Sequence, residues 1–422
     1  MTKSLAPFFS LLLAVGILLL GNGLFGTLVP IRGDIDGFSN SMLGLVGAFY
    51  FAGFMAGSLL CPYGIRRVGH IRSFAVFAAL ASIAPILHAL TVEPIIWLLL
   101  RAITGYCFAG LYMIIESWLN EQATNENRGS LLGIYMVVNF MAIMLGQLML
   151  NIADPAGFEL FAIVTILTSL ALIPVALTTS VQPAPLTSIG IGFKELWKIS
   201  PVGVMGCFVV GLTNSPFWTL GPVFAREAGL DIQGVSFFMS IAVLGGTLVQ
   251  VPVGRLSDRV DRRWVLIAAL LGAALASGYL ASAGANQMTG VFIGSFAFGS
   301  FALSLYGLCV AQANDHAAGH QFVAVSGGLL MVYSVGAVVG PVTISALMPF
   351  FGVGLVFGFP VAVYLPFIGF ILYRMQVSAP VPDVDKEDYV VVAISRTGPA
   401  PLEFDRRSES DNPQDADAAT PK

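Results

Sequence analysis

The chain has 422 residues, 56% of them hydrophobic and only 10% charged, with a mean hydropathy of +0.84. No soluble domain of that length divides surface and core in such proportions, so the composition excludes a soluble globular protein and points to a polytopic membrane protein. The formal net charge of −4 decides little, because in a membrane protein the placement of lysine and arginine matters more than the sum.

Taken in chain order, hydropathy divides residues 5–374 into twelve candidate spans of about twenty residues each. They are 5–29, 39–62, 72–91, 95–118, 131–151, 158–178, 200–223, 233–254, 264–284, 289–312, 323–348 and 353–373. One lysine followed by a long apolar run fits a retained first helix better than a cleaved leader. The longest polar gap before the tail, 179–199, carries Pro183 and Pro185 and then the amphipathic piece FKELWKIS, as expected of a linker lying on a membrane surface. The expectation is therefore an all-α membrane protein of twelve transmembrane helices: an amino-terminal six-helix half over 1–178, a linker over 179–199, a carboxy-terminal half over 200–374 and a tail over 375–422. The tail is polar and rich in Pro, Asp and Ser. It predicts disorder from about residue 378, and the patch VVVAI at 390–394 is too short to span.

Basic residues set the orientation. One set of loops holds Arg66, Arg67, Arg72, Arg128, Lys194, Lys198, Arg255, Arg259, Arg262 and Arg263, with Lys3 and Arg374 on the same side; the opposite set holds Arg32 and Arg226. By the positive-inside rule both termini are expected in the cytoplasm of a multi-pass membrane protein. The four cysteines, Cys61, Cys107, Cys207 and Cys309, lie in or beside apolar runs and read as small packing residues, with no spacing for a metal or a disulfide framework.

An internal repeat runs through the chain. A shift of 192 residues lays NGLFGTLVP (22–30) on NSPFWTLGP (214–222), matching Asn22/Asn214, Phe25/Phe217, Thr27/Thr219, Leu28/Leu220 and Pro30/Pro222. A shift of 194 pairs Gly105/Gly299, Leu111/Leu305, Tyr112/Tyr306, Asn120/Asn314, Gly133/Gly327 and Gly146/Gly340. Two halves of six helices with the same sense are parallel repeats, an architecture that places its substrate near the midplane between the halves.

The stretch RAITGYCFAGLYMIIESWLNE (101–121) concentrates the functional signal. At 3.6 residues per turn, Arg101, Gly105, Phe108, Tyr112 and Glu116 fall within an arc of roughly 80°. One stripe thus carries a cation, an aromatic floor and an acid. A charge at membrane depth is a functional candidate by default, against the alternative of an arginine bonding backbone carbonyls between helices. Glu116 reads as a gate residue near the cytoplasmic end, solvated or paired with Arg128, with proton carrying as the competing role. His70, His88, His316 and His320 fall at span ends or in loops and read as interface residues.

Between the eighth and ninth spans stands GRLSDRVDRR (254–263). It resembles the cytoplasmic loop motif of the major facilitator superfamily, Gly-x-Leu-x-Asp-Arg-x-Gly-Arg-Arg, with Asp261 where the second glycine is usual. The resemblance implies a latching and gating role for Gly254, Asp258, Arg259, Arg262 and Arg263, and the arginines also suit anionic lipid head groups. The corresponding first-half loop, CPYGIRRVGHIR, has Arg66 in place of the acid, so a latch here should lean on Asp258. LLLRAITGYCFAG resembles the superfamily's Arg-x-x-x-Gly fourth helix, which ties Arg101 to proton coupling; its repeat image is Ser295. IIESWLNEQATNENRGSLLGIY (114–135) is similar to a bacterial branch whose fourth helix closes on Glu-Ser-Trp-Leu-Asn and whose members are described without a substrate. The Gly-Pro pair of drug-proton antiporters is absent from the fifth span, where Gly146-Gln147 stands, and present in the eleventh as Gly340-Pro341.

The resemblance implies that the first, fourth, seventh and tenth helices line the cavity. That selects Asn22, Arg101, Asn214, Trp218 and Tyr306 for substrate or proton coupling, with Tyr112, Gln147 and Gln250 as further candidates. An intramembrane amide can equally bond across helices. The reading is a secondary transporter for a small organic solute, working by alternating access as a monomer among membrane lipids, coupled to protons, without cofactor or metal and without nucleic acid. An efflux pump and a transport-inactive receptor signalling through its tail compete with it. No catalytic constellation points to an enzyme.

Overall fold

The structure, a computed structural model, describes residues 6–122, 128–177, 191–282, 288–318 and 321–378 together with Lys386 and Tyr389. These residues form fifteen α-helices. The first half holds α1 (Ala6–Ile35), α2 (Asn40–Val68), α3 (His70–Leu90), α4 (Pro94–Gln122), α5 (Arg128–Leu148), α6 (Glu159–Leu170) and α7 (Leu172–Ala176). A short α8 (Phe193–Ile199) follows, then α9 (Pro201–Glu227), α10 (Ile232–Arg259), α11 (Arg262–Ser282), α12 (Met288–Ala302), α13 (Leu305–Asn314), α14 (Phe322–Phe351) and α15 (Leu355–Val377). Helix is the open-ended element that satisfies its own backbone polar groups inside hydrocarbon, so long apolar runs resolve into it.

Eleven of the helices or near-continuous helix runs are long and apolar enough to cross a membrane, and α9, bent by 113° from α8, completes twelve. The amphipathic FKELWKIS piece forms α8, set at 113° to the start of the seventh span. Several helices outrun the hydropathy windows: α1 continues to Ile35 and α10 to Arg259. Polar ends stay helical because caps and ion pairs satisfy them, as where Asp231 accepts the Gly234 N–H at the start of α10. The tenth span is two pieces, α12 and α13, parted at Leu303 and Ser304.

The two halves repeat the same packing. In the first, α1 lies against α5 and α6, α2 against α4, and α3 against α4 and α6; in the second, α9 lies against α14 and α15, α10 against α12, and α11 against α12 and α15. Glycines show the equivalence atom by atom. A Cβ at Gly105 would meet the Tyr50 carbonyl and one at Gly299 the Ala242 carbonyl. Gly53 faces the Ala102 carbonyl where Gly245 faces that of Phe296, and Gly146 faces the Leu20 carbonyl where Gly340 faces that of Leu212. Each pair and its target are related by 192 or 194 residues, so the repeat seen in sequence is a repeat of backbone close approach.

Between the halves α2 packs on α14 and α5 on α10. Among the described residues, side-chain hydrogen bonds join them at the end where α1 turns into α2. Arg226 Nη1 donates to Asp34 at 2.6 Å. Asn151 Nδ2 donates to the Ser236 hydroxyl at 2.7 Å, Ser240 donates to the Met144 carbonyl at 3.3 Å and Ser41 to the Ser345 carbonyl at 3.3 Å.

Candidate functional site

Arg101 enters α4 two turns from its start and is 4% exposed. Its guanidinium carbon lies 4.4 Å from the Tyr50 ring centroid and 5.6 Å from that of Phe25. The Arg-x-x-x-Gly spacing acquires a physical reason here. Gly105, one turn on, lets the α2 backbone come in at Tyr50, and that approach slides the Tyr50 ring under Arg101. Two π faces stabilise the cation by about 0.5–2 kcal/mol where water is scarce. The stripe is therefore not an open groove along its length: α2 covers it at Gly105, and Phe54 packs against Tyr112 at 6.5 Å.

The second half treats the equivalent space differently. Ser295, the image of Arg101, donates to the Phe238 carbonyl at 2.6 Å. Phe217, the image of Phe25, stacks among Phe238, Phe298 and Phe357. One half thus holds a cation where the other holds a phenylalanine cluster.

The two repeat asparagines sit at the same helix crossing in each half. Asn22 Nδ2 donates to the Tyr112 hydroxyl at 3.3 Å, joining α1 to α4. Asn214 Nδ2 donates to the Ala302 carbonyl at 3.0 Å, joining α9 to the break between α12 and α13. A broken helix frees backbone carbonyls at membrane depth, and here an amide side chain takes one of them. Tyr306 follows the break, packs edge to face on Tyr333 at 5.2 Å and lies within electrostatic reach of Glu116 in the other half. Trp218 is buried against Phe217. Gln147 and Gln250 are each 1% exposed.

Glu116 departs from expectation. It is fully buried, not solvated, and accepts from the Tyr135 hydroxyl of α5 at 3.1 Å. It sits a turn and a half inside α4, where neighbouring helices close over it before the helix reaches its end. Its expected partner Arg128 has a side chain outside the described residues. Two histidines are corrected as well. His88 is fully buried, held by Nδ1 to the Ala84 carbonyl at 2.8 Å and packed between Phe25 and Trp97. His70 is 3% exposed with Nε2 3.4 Å from the Ser117 hydroxyl. Aromatic packing, invisible to a span-end count, draws both inward. His316 is exposed as expected, and His320 lies outside the described residues.

The loop of the Gly-x-Leu-x-Asp motif is an ion-pair knot at the other end of the second half. Arg262 is 1% exposed and donates to Asp258 at 2.8 Å, to Asp315 at 2.7 Å and to the Ser257 hydroxyl at 2.8 Å. Arg263 wraps Asp261, with its Nη2 at 2.7 Å from Oδ2. These two arginines are therefore spent on carboxylates, not on lipid head groups; Arg255 and Arg259 are the exposed ones. Asp261, the departure from the motif's second glycine, supplies the acid that Arg263 needs. Burial works to raise its carboxyl, yet the Arg263 side chain and backbone N–H outweigh burial and hold it below the usual carboxylate range. In the first-half loop Arg66 lies over the Tyr63 ring and donates to the Pro62 carbonyl.

The tail also departs from expectation. Lys386 and Tyr389 are placed against this loop: Lys386 Nζ donates to the Val260 carbonyl at 2.9 Å and the Tyr389 N–H to Asp258 Oδ1 at 2.9 Å. The rest of the expected disordered segment beyond Ser378, including 390–394, lies outside the described residues.

Sequence reasoning missed Tyr50, Tyr135, Asp34, Asp315 and Tyr389. A signal existed for two of them. Asp34 is the 192-residue image of Arg226, and Asp315 the 194-residue image of Glu121, so the repeat marks both positions once charge as well as identity is compared.

A sequence model of the Major Facilitator Superfamily matches residues 11–231 and again 203–404. The chain is 30% identical over 355 residues to proteins called uncharacterized MFS-type transporter YcaD in Escherichia coli strain UMN026 and in strain K12 / DH10B; the match covers 83% of this chain and 91% of theirs. Among solved structures it resembles the nucleoside transporter NupG with a TM-score of 0.74 at 12% identity, covering 86% of this chain and 98% of that one. It also resembles a bacterial homolog of the human lysosomal transporter Spinster, in an inward-facing and unoccupied conformation, with a TM-score of 0.68 at 15% identity over 91% of this chain and 99% of that one.

Proposed function

Because the chain belongs to the Major Facilitator Superfamily, a family of membrane transporters and not of enzymes, we propose that it moves a small organic solute across the bacterial inner membrane by proton-coupled alternating access. Arg101 carries this reading. It is a cation kept in the membrane interior on aromatic faces, at a place where the repeat needs no charge. A buried intramembrane arginine of this kind suits an anionic group on the substrate or the coupling of a nearby acid. Asn22, Tyr112, Asn214, Trp218 and Tyr306 form the polar and aromatic lining around the crossing of α1, α4, α9 and the broken tenth span. Glu116, buried under Tyr135 and electrostatically close to Tyr306, is the acid in reach of both halves and the candidate proton carrier.

With both termini in the cytoplasm, the contacts gathered at the α1–α2 end are on the outer side, which supports an inward-facing state. The halves rock about the site between them, and Gly254, Asp258, Arg259, Arg262 and Arg263 form the inner gating loop, with Arg128 at the inner end of α5. An efflux role gains nothing from the Gly340-Pro341 pair: Gly340 packs on the Leu212 carbonyl and the Pro341 carbonyl on Gly44, which is close packing between helices.

The test is thermal stability of the purified protein against a library of metabolites and drugs at two pH values, followed by uptake of each hit into proteoliposomes with and without a pH gradient. Ligands of the folded state raise the unfolding midpoint by mass action. Hits among organic acids, with uptake that follows the gradient and is lost in Glu116→Gln, are the expected result. Hits confined to bulky apolar cations, or gradient-independent uptake, overturn the substrate class or the coupling respectively.

A further inference from the structure

The tenth span is interrupted near its middle. It runs over Met288–Asn314, with α12 ending at Ala302 and α13 starting at Leu305. Across this step the regular backbone ladder lapses. The Leu303 N–H still reaches the Gly299 carbonyl at 3.3 Å, but the Ser304 N–H tightens onto the Phe301 carbonyl at 3.3 Å. The ladder resumes where the Leu308 N–H meets the Ser304 carbonyl, also at 3.3 Å. The step leaves the Leu303 carbonyl without a backbone donor among the described residues.

Two side chains settle on this step, and the way they bond leaves a surplus of acceptor oxygens. Asn214 on α9 donates from Nδ2 to the Ala302 carbonyl at 3.0 Å, and Ser304 donates its hydroxyl to the Phe301 carbonyl at 2.8 Å. Asn214 is 1% exposed, and its Oδ1, on the same carbon as the bonded Nδ2, meets no hydrogen-bond donor among the described residues. Leu303 is 3% exposed, and among the described residues its carbonyl accepts from no side chain either. The Ser304 oxygen, its proton already given to Phe301, can still accept. Buried acceptors gathered in this way call for a donor or a positive charge.

The first half is built differently. Ala109 and Gly110, the images of Leu303 and Ser304, lie inside the continuous helix α4. Asn22, the image of Asn214, gives its Nδ2 to the Tyr112 hydroxyl. The same asparagine therefore bonds a side chain in one half and interrupted backbone in the other. The oxygens at the break belong to an amide, a backbone carbonyl and a hydroxyl, which are hard ligands without charge. No group of three or more His, Cys, Asp or Glu suited to a metal occurs among the described residues. Calcium and magnesium draw on carboxylates, whereas the freed carbonyls of discontinuous membrane helices coordinate sodium.

We propose that the break in the tenth span is a sodium site, formed by Asn214 Oδ1, the Leu303 carbonyl and the Ser304 hydroxyl oxygen. The ion links α9 to the step between α12 and α13 and stabilises the discontinuity that Asn214 already holds at Ala302. This goes beyond the proton-coupled reading above and does not depend on it.

The site is tested on the purified full-length protein without any substrate. Its unfolding midpoint is compared in sodium, potassium and choline chloride at equal ionic strength, alongside equilibrium binding of radioactive sodium. Sodium should raise the midpoint of the parent saturably, by about 2–5 °C over choline. Asn214→Leu keeps the size of the side chain without its oxygen and should abolish both the rise and the bound sodium. Asn214→Asp places a carboxylate oxygen at the same point and should bind sodium about threefold to tenfold more tightly; this variant decides the matter if the leucine variant does not fold. Asn22→Leu, the change at the image position, should keep the sodium response. Equal midpoints in all three salts, an ionic-strength effect only, overturn the site. So does a sodium response that survives in Asn214→Leu, weakens in Asn214→Asp or disappears equally in Asn22→Leu. Every arm reads ion binding, so a failure to find any transported solute would count against the transporter reading and not against the ion.

Discussion

The guanidinium of Arg101 on α4 rests on rings that two other helices supply. Helical spacing puts a cation above an aromatic floor on α4, but the rings that meet it come from α1 and α2, at Phe25 and Tyr50. No periodicity within one helix reveals a partner on another. The contact is planar, so a guanidinium and an ammonium are not interchangeable there. Arg101→Lys keeps the charge but loses the plane, and transport should fall by about twofold to thirtyfold, the rate equivalent of the roughly 0.5–2 kcal/mol that such a stack supplies. Arg101→Ala should lose more. Uptake of the ligand identified by thermal shift, measured on protein that inserts and unfolds as the parent does, checks the order; a lysine variant as active as the parent would remove the stacking from the mechanism. Glu116 teaches the reverse lesson. Its distance from the helix end was legible, and its exposure was not, because Tyr135 covers it from α5, nineteen residues away.

At the scale of helices, much was legible because it is local. The amphipathic α8, the spans and the glycine repeat all follow from patterns within a short window. The break between α12 and α13 was not, since no proline or glycine stands at Leu303 and Ser304; the interruption is stabilised by Asn214, 88 residues away. The glycine contacts allow a comparison between halves. Gly105→Val and Gly299→Val place the same side chain against equivalent carbonyls, of Tyr50 and Ala242. Overpacking of this kind costs about 1–3 kcal/mol, so both variants should unfold at lower temperature. Only the first also displaces the ring beneath Arg101. Gly105→Val should therefore lose transport well beyond its loss of stability, whereas Gly299→Val should lose the two in proportion. Equal transport from the two variants at matched stability would show that the α2–α4 approach serves packing alone.

At the scale of the whole molecule, the contact between Asp34 and Arg226 joins the two halves at positions that the repeat makes equivalent. Residues so related lie opposite one another across the axis between the halves, so a pair of unlike charges there closes directly over it. A comparison of identities passes over the pair because the two residues differ; their difference in sign is what makes them attract. Both side chains are about a third exposed, at 30% and 32%, which limits the attraction to about 0–1 kcal/mol after solvent screening. Under the alternating-access mechanism proposed above, that is enough to bias, and not to lock, an equilibrium between outer-closed and outer-open states. Asp34→Asn and Arg226→Gln should each shift the balance towards outer opening by no more than roughly fivefold, read as faster labelling of a cysteine placed on the outer part of α2. Raising salt should produce a similar shift in the parent and little in the variants, since an exposed pair is screened within a Debye length of about 8–10 Å. The exchange Asp34→Arg with Arg226→Asp restores the pair in the opposite sense and should return labelling to the parent rate. If the exchanged protein labels as fast as the single variants, the pair is an incidental surface contact, and the outer closure rests on the packing of α2 with α14 and of α5 with α10.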